Sequence, residues 1–145
     1  PQHVAGLVIN KPTRTKLQKI FQVKGFKTIN ISDLVYSGGP VNQGNIIMMH
    51  TNEWKCKNTL PLANGISITS DPQMLKKMHE QDQPQAWRVF SGLSIWSPGQ
   101  LEGEINSKCW MTAIPTPELS LETPTTQIYE KAIEICSKQI IDKYI

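Results

Sequence analysis

Residues 91–110, SGLSIWSPGQLEGEINSKCW, have the least freedom in how they can fold. Phe90, Gly92, Leu93 and Ile95, set among small or polar neighbours, predict a mostly buried strand. Ser97 stands where a helix N-cap should be. Pro98 follows at the first helical position, where its missing N–H costs nothing. Gln100, three residues after Ser97, completes a capping-box pattern. Leu101 and Ile105 share the predicted buried face of the helix, and Gln100 and Glu104 share another. Trp96 and Trp110 bracket the unit and are large enough to anchor both its ends. The expected order is strand, tight corner, short helix, then a strand over 110–114. The corner supports two readings. In one, a capped helix packs on a sheet and its glutamates are solvated. In the other, Gln100 and Glu104 line a cleft beside Trp96, to which the helix N-terminus adds partial positive charge.

The remaining elements are read around this corner. Residues 4–9 are nearly all apolar, as in a central strand covered on both faces, and Asn10-Lys11-Pro12 ends it. Residues 13–22 carry an apolar stripe, Leu17, Ile20 and Phe21, and predict a helix that Gly25 terminates. A short segment is expected over 29–35. Ser37-Gly38-Gly39-Pro40-Val41 is a sharp turn rather than a phosphate loop, because it lacks the P-loop lysine and no helical pattern follows. Residues 46–50 read as a strand entering the core, with His50 as a hydrogen-bonded strand end. Trp54 and Leu60 are the expected anchors of an irregular stretch over 51–64. Residues 65–69 alternate as a half-buried strand does. Ser70-Asp71-Pro72 opens a helix running to about His79, with Leu75 and Met78 inward. A strand is expected over 85–95, then a proline-bearing loop over 115–124. The last helix carries Ile128, Ala132, Ile135, Cys136, Ile140 and Tyr144 on one stripe, which covers the sheet or meets a partner chain.

At 145 residues the chain is read as one domain, 1–145. No run approaches 18 apolar residues, so no membrane span is expected. Cys56, Cys109 and Cys136 are widely spaced and odd in number, which argues for free thiols in a reducing compartment. His3, His50 and His79 form no ligand spacing with them, so neither a metal site nor a cofactor is expected. The net charge of +3 is uneven: residues 1–90 hold 11 Lys/Arg against 5 Asp/Glu, and residues 91–145 hold 4 against 7. The excess concentrates over 11–27, where Arg14, Lys16, Lys19, Lys24 and Lys27 could meet a phosphate backbone or form a solvated basic face.

In this order and spacing the chain resembles the YqgE/AlgH family of bacterial proteins. The matching residues are Gly6-Leu7-Val8-Ile9-Asn10-Lys11-Pro12, Tyr36-Ser37-Gly38-Gly39-Pro40-Val41 and Gly65-Ile66-Ser67-Ile68-Thr69. The strongest match is Trp96-Ser97-Pro98-Gly99-Gln100-Leu101-Glu102 with Glu104 and Trp110. Leu93, Ile95 and Gly103 depart from the family pattern. The resemblance implies an α+β domain with a mixed, largely antiparallel, curved sheet flanked by helices, a segment preceding Pro1, and a cytoplasmic location. It implies no chemistry. Some family members are described as transcriptional regulators, but this chain shows no helix-turn-helix.

No nucleophile–base pair, metal set, cofactor loop or paired catalytic acids can be read from the residues. A non-enzymatic binding or regulatory domain is therefore expected. Its recognition surface would combine Asn10, Lys11, Gly38, Gly39, Trp96, Gln100 and Glu104, and its partner would be another protein or a second copy. Nucleic-acid association through the basic segment is the alternative. An enzyme with Glu104 as general base beside His50 is the third reading.

Overall fold

The structure, a computed structural model, describes residues 2–27 and 30–144. Seven strands form one mixed, mostly antiparallel sheet: β1 Val4–Gly6, β2 Pro12–Lys16, β3 Leu34–Ser37, β4 Val41–Thr51, β5 Thr59–Pro61, β6 Ile66–Thr69 and β7 Trp87–Trp96. Their order is β2-β3-β7-β4-β6-β5, with β1 joined to β7 off that path. The helices are α1 Leu17–Val23, α2 Gln73–His79, α3 Gln100–Asn106 and α4 Ile128–Tyr144. The α+β class and the largely antiparallel sheet are those the resemblance implied.

β7 carries the sheet. One of its edges pairs antiparallel with β4, from Ile46↔Ser91 to His50↔Trp87. The other edge is shared. β3 runs parallel to it at Tyr36↔Phe90 and Ser37↔Ser91, and β1 then takes over, antiparallel, from Gly6↔Ser94 to Val4↔Trp96. The handover falls at Gly92, where Gly38 and Gly39 press backbone against backbone. A Cβ on Gly38 would overlap the Gly92 carbonyl oxygen, and one on Gly92 would overlap the Gly39 carbonyl oxygen. Gly92 also has φ 76, which L side chains rarely adopt. The Gly38 N–H donates to Ser91 and its carbonyl accepts from Val8, so Gly38 itself offers no free donor to an anion.

Both faces of the sheet are covered. Leu17 and Phe21 of α1 and Met74, Leu75 and Met78 of α2 pack on one face with Val35, Met48, Trp54 and Val89. On the other face Met49, Ile66 and Phe90 meet Leu121. Each fully buried side chain contributes about 1.5–3 kcal/mol by removal from water. Leu121 belongs to a wide π-helical turn, Glu118–Glu122, which Arg88 fastens to β7 by donating to the Ser120 and Thr123 carbonyls.

The ends of the helices follow local rules. Asp71 accepts from the Gln73 N–H at 2.9 Å and so caps α2, as its place before Pro72 predicts. Gly25, at φ 84, ends α1 in a Schellman motif: Phe26 N–H reaches Phe21 O and Gly25 N–H reaches Gln22 O. The Phe26 ring closes on Phe21 edge-on at 5.9 Å.

Several expectations are corrected. Residues 4–9 do not form a central strand: β1 is three residues long and pairs with β7 alone. Pro12 does not stop the ladder but starts an edge strand, where its missing N–H is harmless. Residues 12–16 are extended because Thr13 and Thr15 are β-branched, and the Thr13 hydroxyl donates to Val35 O at 2.6 Å. The helix therefore begins only at Leu17. The segment expected from Ile29 starts outside the described residues, and its strand is Leu34–Ser37. β6 is not half-buried: Ile66, Ser67 and Thr69 are all buried, because the sheet is covered on both faces there. Leu60 is 58 % exposed and anchors nothing, whereas Trp54 is buried. No strand forms over 110–114, where Trp110 is instead drawn onto α3 by its bond to Glu104. α4 does not cover the sheet. It packs mainly on the two short turns before it, and only Ile128 and Cys136 are buried.

Candidate functional site

The corner after β7 is built by four residues. Gln100 N–H donates to Ser97 O at 3.0 Å, and Gly99 has φ 78 and ψ −9. These are the features of a type II turn with proline then glycine in its centre. The expected capping box is half formed. Gln100 Oε1 accepts from the Ser97 N–H at 3.1 Å, but the Ser97 side chain caps nothing. Glycine in the left-handed region cannot lie inside a helix, so α3 starts at Gln100 and not at Pro98. Its expected packing is also absent: no residue of α3 is buried, and Ile105 is 40 % exposed.

Past α3 the chain doubles back. Cys109 N–H reaches Glu104 O and Lys108 N–H reaches Ile105 O, with Lys108 at φ 59. A lysine in that region costs about 1 kcal/mol relative to glycine. The reversal brings Trp110 over the helix. Its Nε1–H donates to Glu104 Oε2 at 2.7 Å, while Gln100 Nε2 donates to Glu104 Oε1 at 3.0 Å. Trp110 meets Trp96 edge-on, with ring centroids 6.1 Å apart at 75°. Trp96 in turn lies across Gly6 of β1, where a Cβ would come within 3.0 Å of its ring. The hydrogen bonds from Trp110, then Gln100, and also Trp96, hold the Glu104 carboxyl below the usual glutamate range.

This arrangement has a definite chemistry. A carboxylate held ionised is a weak base near neutral pH, so it is poorly suited to abstract protons. Its oxygens keep lone pairs beyond these bonds, so it can still accept from a cationic donor. Ile105 on the same helix, and Trp110 and Met111 just past it, are exposed.

The other expected site residues are distributed as follows. Gly38 and Gly39 are buried backbone beneath the surface rather than part of it. Asn10 and Lys11 are exposed on the link between β1 and β2, and Lys11 O accepts from Ser37 N–H at 2.8 Å. Among the described residues neither makes a hydrogen bond to Gln100 or Glu104. Arg14, Lys16 and Lys19 share a shallow depression between β2 and α1. Lys24 lines a separate cleft.

His50 cannot partner Glu104. It pairs with Trp87 at one end of β7, and Trp96 is at the other, roughly 30 Å away along a strand. His50 is fully buried in a directed hydrogen-bond chain. Its Nδ1–H donates to Thr51 O at 2.7 Å, which leaves Nε2 to accept from the Thr69 hydroxyl at 2.7 Å. The Thr59 hydroxyl then donates to Thr69 at 2.7 Å, and Cys56 N–H donates to Thr59 at 2.8 Å. Every polar hydrogen has one place to go only while the imidazole is neutral. Burial lowers its pKa from 6.5, against the opposing pull of the Thr51 carbonyl and the Glu53 charge. The unfolded chain therefore binds the proton more readily. Stability from this group is fully present above about pH 6.5 and is lost as pH falls through the lower folded value. Thermal melts between pH 7.5 and 5.0 should show the midpoint dropping below pH 6.5, and His50→Asn should flatten the fall. An unchanged slope in the variant would assign the fall to other groups.

Sequence reading missed the return of Trp110 onto Glu104, because it depends on Lys108 taking a conformation that lysine does not advertise. The six-residue spacing of Glu104 and Trp110, just past one turn of helix and a reversal, is the signal that could have found it.

Comparison with known proteins gives the following relations. A family model described as AlgH-like matches residues 1–140. A UPF0301 protein of Proteus mirabilis is 31 % identical over 137 residues, covering 90 % of this chain and 73 % of its own length. Another, from Polaromonas sp., is 32 % identical over 143 residues, covering 92 % and 73 %. The solution structure of the AlgH protein from Pseudomonas aeruginosa superposes with a TM-score of 0.78 at 24 % identity, over 92 % of this chain and 72 % of that one. A crystal structure from Corynebacterium diphtheriae matches with a TM-score of 0.61 at 23 % identity, over 80 % and 62 %.

Proposed function

The chain belongs to the AlgH-like family, and from that premise we propose that it is a non-catalytic binding domain of the bacterial cytoplasm whose partner is a protein presenting an arginine or lysine to Glu104. One observation carries this reading: Glu104 accepts from Gln100 and from Trp110, and Trp110, exposed like Ile105 beside it, meets Trp96 edge-on. Aromatic anchors ringed by partly exposed apolar groups are the usual energetic centre of a protein interface. Nothing in the cluster supplies a nucleophile with an adjacent base. No described helix is long and apolar enough to cross a membrane. The competing nucleic-acid reading rests on Arg14, Lys16, Lys19, Lys24 and Lys27, and no aromatic side chain lines the depression that the first three share.

The test uses the indole N–H resonance of Trp110 during titration with hexa-arginine. Binding should shift that resonance, and Glu104→Gln should weaken binding about tenfold while leaving the melting midpoint within roughly 4 °C. Glu102→Gln, a carboxylate outside the network, should leave affinity unchanged. If Glu104→Gln lowers only the melting midpoint, the network is a structural staple and the reading fails.

A further inference from the structure

A second site lies beside the edge of β4 that β6 leaves and reaches across β4 to Leu93 of β7. β6 pairs with β4 only from Thr51 back to Met48, and at Ser70 the chain turns away to begin α2. β4 continues alone. The space between its free edge, the start of α2 and the Schellman turn at Phe26 is a cleft of about 640 Å³. That is within the range of small-molecule sites.

Its walls decide what can enter. Phe26, Ile46, Met74, Leu75 and Leu93 make it apolar. Lys24 is the one ionisable group among the described residues that line it, and no carboxylate does. The β4 backbone adds a donor. Thr51 N–H points to Ala86, on the β7 side, and Asn52 N–H points to Gly65, on the β6 side. Alternation along the strand then turns the even residues towards β6. Met48 still has β6 beside it, but Ile46 does not. The N–H and C=O of Ile46 therefore face the edge that β6 has left.

We propose that this cleft binds a small apolar carboxylic acid, with its hydrocarbon part against Ile46, Met74, Leu75 and Leu93 and its carboxylate taken by Lys24 and the Ile46 N–H. A cation has no acidic group to meet there. A sugar or nucleotide would leave most of its polar groups unpaired against an apolar wall. The site is separate from the Trp96–Trp110 corner, so either can fail without the other.

The experiment is an NMR titration of the whole chain with 4-phenylbutyrate and with its uncharged amide. The acid should shift Ile46, Leu75 and Leu93 resonances and bind about tenfold more tightly than the amide. Lys24→Gln should remove that difference while leaving amide binding in place. Gly44→Phe should block both ligands, because a side chain on Gly44 enters open space at the cleft without touching backbone. Its melting midpoint should stay near that of the unsubstituted chain. The proposal is overturned if acid and amide bind equally, if Lys24→Gln preserves the difference, or if the shifted resonances lie elsewhere.

Discussion

Gly92→Ala is expected to cost roughly 3 kcal/mol or more of folding stability, a large share of the ~5–15 kcal/mol typical of a domain. Two penalties add. A left-handed conformation costs an alanine about 1–2 kcal/mol. Overpacking adds roughly 1–3 kcal/mol, and here the new methyl meets the Gly39 carbonyl oxygen, which is backbone and cannot swing aside. β3, β4 and β1 all pair with β7 close to this point, so no single strand can shift without breaking another ladder. Urea unfolding reads the effect. Gly103→Ala is the contrast: nothing lies near it, it is within α3, and it should gain up to about 1 kcal/mol. A Gly92→Ala protein as stable as the original would mean that β3 and β1 are not held against β7 in this way.

Arg88→Ala should cost about 3 kcal/mol and should do so unevenly. The guanidinium donates to Ser120 O at 3.0 Å and to Thr123 O at 2.5 Å, and it lies 5.5 Å over the Tyr36 ring. Hydrogen bonds from a charged donor are worth about 1.5–3 kcal/mol each, and the stacking adds less. These bonds hold the wide turn on which α4 rests. Hydrogen exchange should therefore show residues 118–144 losing protection while β4 and β7 keep theirs. Arg88→Lys should recover at most one of the two bonds, because an ammonium cannot span both carbonyls as the planar fork does. A uniform loss of protection across the chain would show that α4 and the sheet unfold as one unit.

Local chemistry was legible in the sequence wherever it settled the outcome. Asp71 before Pro72 did cap a helix, Gly25 did end one, and Trp54 was buried. The α+β class followed from motifs rather than from periodicity. Where tertiary contacts decided, reading by pattern went astray. Residues 4–9 are apolar enough for a central strand, yet only three residues find a partner. Residues 110–114 have a strand's composition and no strand to join. Thr13 and Thr15 were included in a helix whose real beginning is Leu17. At the candidate site, the pairing of Gln100 with Glu104 was visible as a spacing of four. Trp110 was expected only as an anchor, and its donation to Glu104 emerged from the backbone reversal at Lys108. Gly38 and Gly39 were seen as a turn, but their contact with Gly92 joins residues more than fifty positions apart, beyond any local rule.

The central place of β7 also sets a timetable for synthesis. β2 can pair with β3, and β4 with β6 and β5, as soon as each is made. Neither group pairs with the other except through β7, and β1 has no other neighbour in the sheet. Val4 must wait for Trp96 to emerge, roughly 5–20 s at ordinary rates of translation. Throughout that interval the nascent chain displays two half-sheets with open edges, the arrangement most prone to pairing with a neighbour. A ribosome that stalls between Thr69 and Trp87 would hold the chain in that state, so chaperone demand should peak there and end abruptly once the last strand is released.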